Sequence, residues 1–557
     1  MTGSRRWVDA VWLLAFGLAS SGWCLAAAPR LSASFDEPLY VHYGLNAWRT
    51  GSNKLLMSVG TMTLPVDVQT LPLYVWEHRR GNQFDNVEEL HTILPVARAM
   101  NLVFWWLLLF YLMRLGRTFG GAWGGRLAVA LVALDPNFLA HATLATTDIA
   151  STATMMGLIY HTYHGLGRGW GRRVLVPAVW FSLATAAKAS GMVFGVQVLF
   201  LLGMYHLYCT GAFAAPPGSS RWGKVKHVWH AGFRWRKDFT LTTLIGFTLV
   251  FAYTGSDWGT ERTFVEWAET LPDGALKGVM HPLSRSLTIF PNAGEALMQQ
   301  VKHNIRGHGT YLLGEWYERA TWKYFPIALT MKVPEPVIAL LLAALMMHPR
   351  RLWGPMGLIA VVLLAFSVNC RVQIGIRFMF TLWAVTAVVL GAGIANAWAD
   401  GAKRAVPRGF VAIMLVALGV TSAWAWPNGM SYFNQLWGGP REGHRRLHDS
   451  NLDWGQGLPE LKAWLRANGE PPLALWYYGA DPDSLRPPFR PLPLHALKVE
   501  TGDDVRRHVG KGLLAVSVSL LYGDPGMSPS WRAAGAFLRT QTPVGRTTTF
   551  FIYEFPD

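Results

Sequence analysis

Two adjacent carboxylates, Asp36 and Glu37, stand just past the first apolar run, in Ser34-Phe35-Asp36-Glu37-Pro38-Leu39-Tyr40. Four more charged groups lie where later apolar runs begin or end: Arg98, Asp148, Lys188 and Arg377. Ionisable groups at membrane depth cost about 2.5–3.5 kcal/mol each on insertion scales, so they mark functional sites by default. Carboxylates gathered with several cations suit the transfer of a group off a phosphate. A carboxylate accepts the proton of an attacking hydroxyl as general base, while lysine or arginine neutralises the phosphate as it leaves. The sequence has neither a Gly-rich phosphate loop nor a nucleotide motif, which points to a lipid-linked phosphate rather than a soluble nucleotide sugar.

Each of these residues also has a plainer reading. Asp36-Glu37 fits a first-turn acidic pair at a helix N-terminus. Asp148 follows Thr146-Thr147 and fits a helix cap. Arg98 and Lys188 fit side chains snorkelling from span ends, although the small neighbours Ala186, Ala187, Ala189 and Ser190 leave room beside Lys188 for a ligand head group. His42, six residues after Asp36, falls off its helical face and reads as structural. His303 and His308 lack a third ligand, and Cys24, Cys209 and Cys370 are scattered; no metal site is assigned, and a divalent-metal requirement stays open.

The elements that must position these groups follow from composition. Of 557 residues, 51% are hydrophobic and only 15% charged, with 27 Trp, which excludes a soluble multidomain chain and gives an all-α polytopic membrane protein. About 20 apolar residues make a span. Eleven such runs lie near 7–28, 93–113, 124–142, 147–164, 174–189, 192–211, 239–255, 325–347, 353–369, 377–397 and 408–426; the pairs meeting at 143–147 and 189–192 also read as single broken helices. The net charge of +16 is explained without nucleic acid if the basic residues sit in alternate loops.

They do. With Arg5 and Arg6 inside, the same side receives Arg114, Arg117 and Arg126, then Arg168, Arg172 and Arg173, then Arg221, Lys224, Lys226, Arg234, Arg236 and Lys237, then Arg350 and Arg351, then Lys403, Arg404 and Arg408. The positive-inside rule then places 29–92, 256–324 and 427–557 outside, together with all the charges singled out above. The first run, with Arg5-Arg6 ahead of it and Leu25-Ala26-Ala27-Ala28 behind, also reads as a signal peptide. Residues 29–92 read as a mainly polar loop closing in a short interfacial helix over 86–95. The aromatic-rich end of 256–324 suits a membrane interface.

From 427 on, hydropathy falls. Helical stretches near 457–467, 503–510 and 528–539 alternate with strand-like runs at 473–478, 513–518 and 547–553, the pattern of a small extracytoplasmic α/β domain, 427–557, after a membrane module, 1–426. Asp449 to Gln456 is open to a functional reading, but Ser450 and Asp453 also make sense as a turn leading into the helix from Leu458 to Leu465, and the turn is favoured.

The order of motifs resembles glycosyltransferase family 39, the bacterial protein O-mannosyltransferase and aminoarabinose transferase group, which has the GT-C membrane fold. The matching pieces are Phe35-Asp36-Glu37 with His42 and Gly44; Ala97-Arg98-Ala99; Leu139 to Asp148; Ala187-Lys188-Ala189-Ser190-Gly191; Tyr311 to Glu315; Tyr324-Phe325-Pro326 with Lys332-Val333-Pro334; Gly375-Ile376-Arg377-Phe378; and Tyr432-Phe433-Asn434, Gly438-Gly439-Pro440 and Asp449 to Gln456. The resemblance covers about 34–456. It implies a polyprenyl-phosphate sugar donor, inverting transfer at the extracytoplasmic face of the cell membrane, Asp36 as the catalytic carboxylate with Glu37 supporting it, and Arg98, Lys188 and Arg377 at the donor phosphate. Asp148, and His42 by its place in the first motif, fall on the sugar or acceptor side. The family's frequent Pro-Pro pair is replaced by Leu64-Pro65 and Leu71-Pro72, and the β-trefoil repeats of the eukaryotic enzymes are absent, so the acceptor, protein or glycolipid, stays open. Transfer of a whole lipid-linked oligosaccharide is an alternative. A membrane transporter is another, disfavoured because the charges cluster at one face instead of the midplane.

Overall fold

A computed structural model describes residues 3–214, 218–255, 259–260, 262–288, 291–523 and 528–556, without the side chains of 3–6, 263 and 291; the Arg5 and Arg6 side chains thus lie outside the described residues. The chain is mostly helical. Five described helices are long and apolar enough to cross a membrane: Trp7–Arg30, Leu90–Ala133, Ser190–Cys209, Ile376–Ala399 and Arg408–Ala425. Helix is present in every one of the eleven predicted ranges, but several are broken. Instead of one straight span over 325–347, Tyr324–Lys332 and Glu335–Met347 meet at 109°, where Pro334 pushes Val333 into extended backbone and ends the first helix. The range 124–142 also splits. Its first part continues the Leu90–Ala133 helix past non-helical Gly120 and Gly121, and Asp135 then caps a new helix, Pro136–Thr143, by accepting from Asn137 N and Phe138 N.

Residues 29–92 are not the expected polar loop. They fold into Glu37–Thr50, Lys54–Ser58 and Leu64–Arg80, with Gly44 so close to Val66 and Thr70 that a Cβ would come within 2.6 Å of either. No separate helix forms over 86–95; the turn there runs straight into the helix starting at Leu90. Residues 256–324 contain Arg262–Thr270, Ala275–Ser286, Pro291–Arg306 and a hairpin that periodicity did not reveal, Thr310–Leu312 against Glu315–Tyr317. Its turn places both Leu313 and Gly314 at positive φ, as a two-residue hairpin loop requires.

Near the C-terminus a five-stranded mixed sheet forms in the order Phe489–Pro491, Leu473–Trp476, Gly512–Ser517, Phe550–Phe555, Gly545–Arg546. The first three strands are parallel and the last two antiparallel to their neighbours. One buried cluster runs from the apolar helices through Leu447 and Leu452 into Trp476, Val516 and Phe551, so no packing break falls at residue 427. At the end of the bundle predicted to face inside, charges pair with one another: Asp9 with Arg117 and Arg126, Arg173 with Asp238, and Arg351 with Asp400.

Candidate active site

The two neighbouring carboxylates occupy different environments. Glu37 starts the Glu37–Thr50 helix and is wholly buried. Its Oε1 accepts from Arg98 Nε at 2.8 Å and from Ala145 N at 2.7 Å, and its Oε2 from Arg98 NH2 at 2.7 Å and Ser34 N at 2.8 Å. The rest of the Arg98 guanidinium donates to Ala28 O at 2.6 Å, Leu31 O at 3.0 Å and Ser32 O at 2.8 Å. A guanidinium has five N–H donors, and each of them is engaged here. Arg98 is therefore not available to the donor phosphate as the sequence predicted. Glu37, with four donors on its carboxylate, has no room to move a proton. Together they tie the first span, the second span and the 139–148 segment into one rigid node.

Asp36 caps the same helix but makes no side-chain cap bond. Its side chain is 26% exposed and has only long contacts: Tyr40 OH donates at 3.3 Å and Arg377 NH1 at 3.4 Å. Burial raises its pKa above the usual 3.8; Arg377 opposes that rise, while Asp449 and Asp148 add to it. Such a carboxylate is a competent proton acceptor with a free lone pair.

Behind Asp36 lies Asp148, the first residue of Asp148–Gly165, whose carboxylate does not cap the helix. Its Oδ1 accepts from Lys188 Nζ at 2.6 Å, and its Oδ2 lies 3.6 Å from His141 Nδ1 and 3.9 Å from Arg377 NH1. Lys188 sits at a break: Val176–Ala187 ends before it, Lys188 itself is extended, and Ser190–Cys209 follows. A Cβ on Gly191 would lie 2.0 Å from Ala184 O, so only glycine lets the chain turn this closely beside the ammonium. Asn101 holds the 139–148 segment through His141 O and Ala142 O. Asp148 Oδ2, His141 Nδ1 and Arg377 Nε are buried without a hydrogen-bond partner. Unsatisfied groups of this kind in one place call for an explanation, and a polar ligand supplies one.

The structure thus brings together Asp36, Asp148, Lys188 and Arg377. It keeps His42 apart: that side chain is exposed and meets Asn86 Nδ2 at 2.8 Å. Sequence reasoning missed His141, Tyr40 and Trp454 as site residues. Trp454 lies with its ring 4.1 Å from the Arg377 guanidinium carbon, so Asp449 to Gln456 is more than a turn before a helix. Its signal was present only as part of the motif match.

Beside the cations is an apolar cavity of about 230 Å³ lined by Ala189, Val193, Leu297, Phe325, Phe366 and Phe378 among others. Phe378 also lies 4.5 Å below Lys188 and 5.5 Å from Arg377. Among the described residues, the one group that could hold a metal ion is His91, Asp481 and Asp483. Lys462 and Arg486 already face Asp483, so protein cations meet that charge. His303 and His308 stack at 5.8 Å, and among the described residues no third ligand joins them.

Residues 82–210 match the family model described as dolichyl-phosphate-mannose-protein mannosyltransferase. No curated protein matches the chain in sequence. Among solved structures, ArnT from Cupriavidus metallidurans in the apo state is 13% identical over 98% of each chain, with a TM-score of 0.43. The archaeal oligosaccharyltransferase AglB from Archaeoglobus fulgidus is 11% identical over 98% of this chain and 75% of its own, with a TM-score of 0.42. The S. cerevisiae protein O-mannosyltransferase Pmt1-Pmt2 complex is 16% identical over 48% of this chain and 37% of its own, with a TM-score of 0.29. Likenesses this distant assign no role to any residue here.

Proposed function

We propose that this chain, whose residues 82–210 match the dolichyl-phosphate-mannose-protein mannosyltransferase model, is a glycosyltransferase that moves a sugar from a polyprenyl-phosphate donor to a hydroxyl of a protein or glycolipid at the extracytoplasmic face, with inversion. The supporting observation is the open cluster of Asp36, Arg377, Asp148 and Lys188 beside an apolar cavity. The acceptor oxygen attacks the anomeric carbon from the side facing Asp36, and its proton passes to the Asp36 carboxylate. The bond from that carbon to the phosphate oxygen breaks, and the electron pair leaves with the polyprenyl phosphate. Attack opposite the leaving group inverts the anomeric centre.

Lys188 and the unpartnered edge of Arg377 meet the phosphate charge that develops in this step. Phe378, beneath both cations and on the cavity wall, fits the junction of head group and polyprenyl tail. Asp148 orients both cations and lies nearest the transferred sugar. In this reading Glu37 and Arg98 hold the frame and touch no substrate. No step above calls on a metal, and whether a divalent ion assists is answered by assaying transfer with and without a chelator.

The test is reconstitution with a radiolabelled polyprenyl-phosphate sugar. Wild-type protein transfers the label to an acceptor without solute uptake, and Asp36→Asn does not. Retained transfer in that variant ends the role of Asp36, and uptake without transfer ends the enzyme reading. Mass spectrometry of the glycoconjugates lost on gene deletion identifies the acceptor.

A further inference from the structure

Arg377 is the cation nearest the proposed base, yet short hydrogen bonds do not hold it. Its contacts to Asp36 and Asp148 are 3.4 and 3.9 Å, and its Nε has no partner. Of the two rings beside it, Trp454 at 4.1 Å is nearer than Phe378 at 5.5 Å. A tryptophan face attracts a guanidinium through the ring quadrupole, most strongly where water is excluded, and Trp454 is 2% exposed.

Trp454 is itself fixed from both sides of the site. Its carbonyl accepts from Phe35 N at 2.9 Å, one residue before Asp36, and its N–H donates to Gln456 Oε1 at 2.7 Å. Ser32 N donates to Gln456 O at 3.1 Å. Toward Arg377, Ser450 Oγ donates to Ile374 O at 2.6 Å and Ile376 N donates to Asn451 Oδ1 at 2.9 Å. A Cβ on Gly375 would lie 2.1 Å from Ser450 Oγ. From below, the buried Lys332 ammonium donates to Asn451 O and Met430 O, both at 2.8 Å, and to Tyr432 O. Asp449 opens the segment at φ 56, a left-handed conformation that persists only where surroundings impose it; Tyr478 OH donates to its Oδ2 at 2.6 Å.

We infer that Trp454 is a positioning residue, and that the Asp449 to Gln456 segment, arriving from beyond the last span, sets the Arg377 guanidinium opposite Asp36 and so completes the active site. This rests on the reading of Asp36 and Arg377 proposed above. The groups facing Asp36 are Arg377, Tyr40, Asp148 and Asp449; of these Arg377 is the one cation, so displacing it raises the pH needed for turnover.

The experiment compares Trp454→Leu, Trp454→Phe and Ser450→Ala in full-length reconstituted protein with a labelled polyprenyl-phosphate sugar. Trp454→Leu is expected to lower kcat about tenfold or more, leave the acceptor KM unchanged and move the acid limb of the kcat profile to higher pH. Trp454→Phe, which keeps an aromatic face, recovers most of both. Ser450→Ala gives a smaller shift in the same direction and serves if the leucine variant does not fold. The inference is overturned by an unaltered acid limb in folded Trp454→Leu and Ser450→Ala, or by a kcat loss that phenylalanine does not recover. Inactive Asp36→Asn beside unaltered Trp454→Leu rejects the positioning role alone; active Asp36→Asn rejects the reading of the site, and this inference falls with it.

Discussion

Asp36 and Glu37 are neighbours in the chain and opposites in the structure. Glu37 and Arg98 form a closed node, with every guanidinium N–H donating and four donors on the carboxylate. Asp36, Asp148, Lys188 and Arg377 form an open one, in which Lys188 and Asp148 pair closely but Arg377 makes only long contacts, and three buried polar atoms lack partners when His141 is included. Both contain buried charge, so burial does not separate them. What separates them is saturation: a charge whose bonding capacity is filled by its own protein holds structure, and one left partly unfilled is ready for a ligand.

Isosteric changes at the two neighbours test that contrast most directly. Asp36→Asn should cut kcat by about 10²–10⁴-fold, the usual worth of a general base, with little change in melting temperature, since no strong bond is lost. Glu37→Gln should do the reverse. Removing one partner of a buried ion pair costs about 3–5 kcal/mol, so the variant should melt far lower or fail to accumulate, while the fraction that folds turns over near the wild-type rate. Thermal unfolding in detergent read alongside single-turnover transfer checks both, and equal loss of kcat in the two variants would erase the distinction.

A smaller effect is expected at Lys188. Charge-assisted hydrogen bonds are worth about 1.5–3 kcal/mol, so Lys188→Ala should weaken binding of polyprenyl phosphate by about ten- to a hundredfold, measured by competition with the labelled donor. Smaller again is the pH response. Because burial raises the Asp36 pKa above 3.8 and the base must be ionised, activity should fall as pH drops through a midpoint above the ordinary carboxylate value, and a kcat profile locates it. At the far end, His42→Ala should change transfer by less than about twofold, as expected for an exposed side chain away from the site; a larger loss would bring His42 into the open node.

Much of this was legible in advance. Apolar run lengths placed helix in all the predicted span ranges, because the cost of unpaired backbone in hydrocarbon leaves few alternatives. The grouping of Asp36, Asp148, Lys188 and Arg377 at one end followed from span parity alone. The bend at Val333-Pro334 and the break at Asp135 were not foreseen, since a hydropathy window averages over the one or two residues that stop a helix. Residues 29–92 look like loop in the sequence because their helices bury polar side chains such as Gln69 and Asp67 against other helices, which hides the apolar period.

The sequence by itself determined a membrane chain, the end at which its ionisable groups collect, and the order of motifs that carries the family resemblance, all of which depend on residue type and spacing along one dimension. Only the tertiary structure decided which of those charges are saturated. Whether Arg98 meets phosphate or five internal acceptors, and whether Trp454 merely belongs to a turn or lies against Arg377, depends on groups contributed from tens to hundreds of residues away. Hydrogen-bond capacity is a property of positions in space, and no local pattern encodes how it is filled.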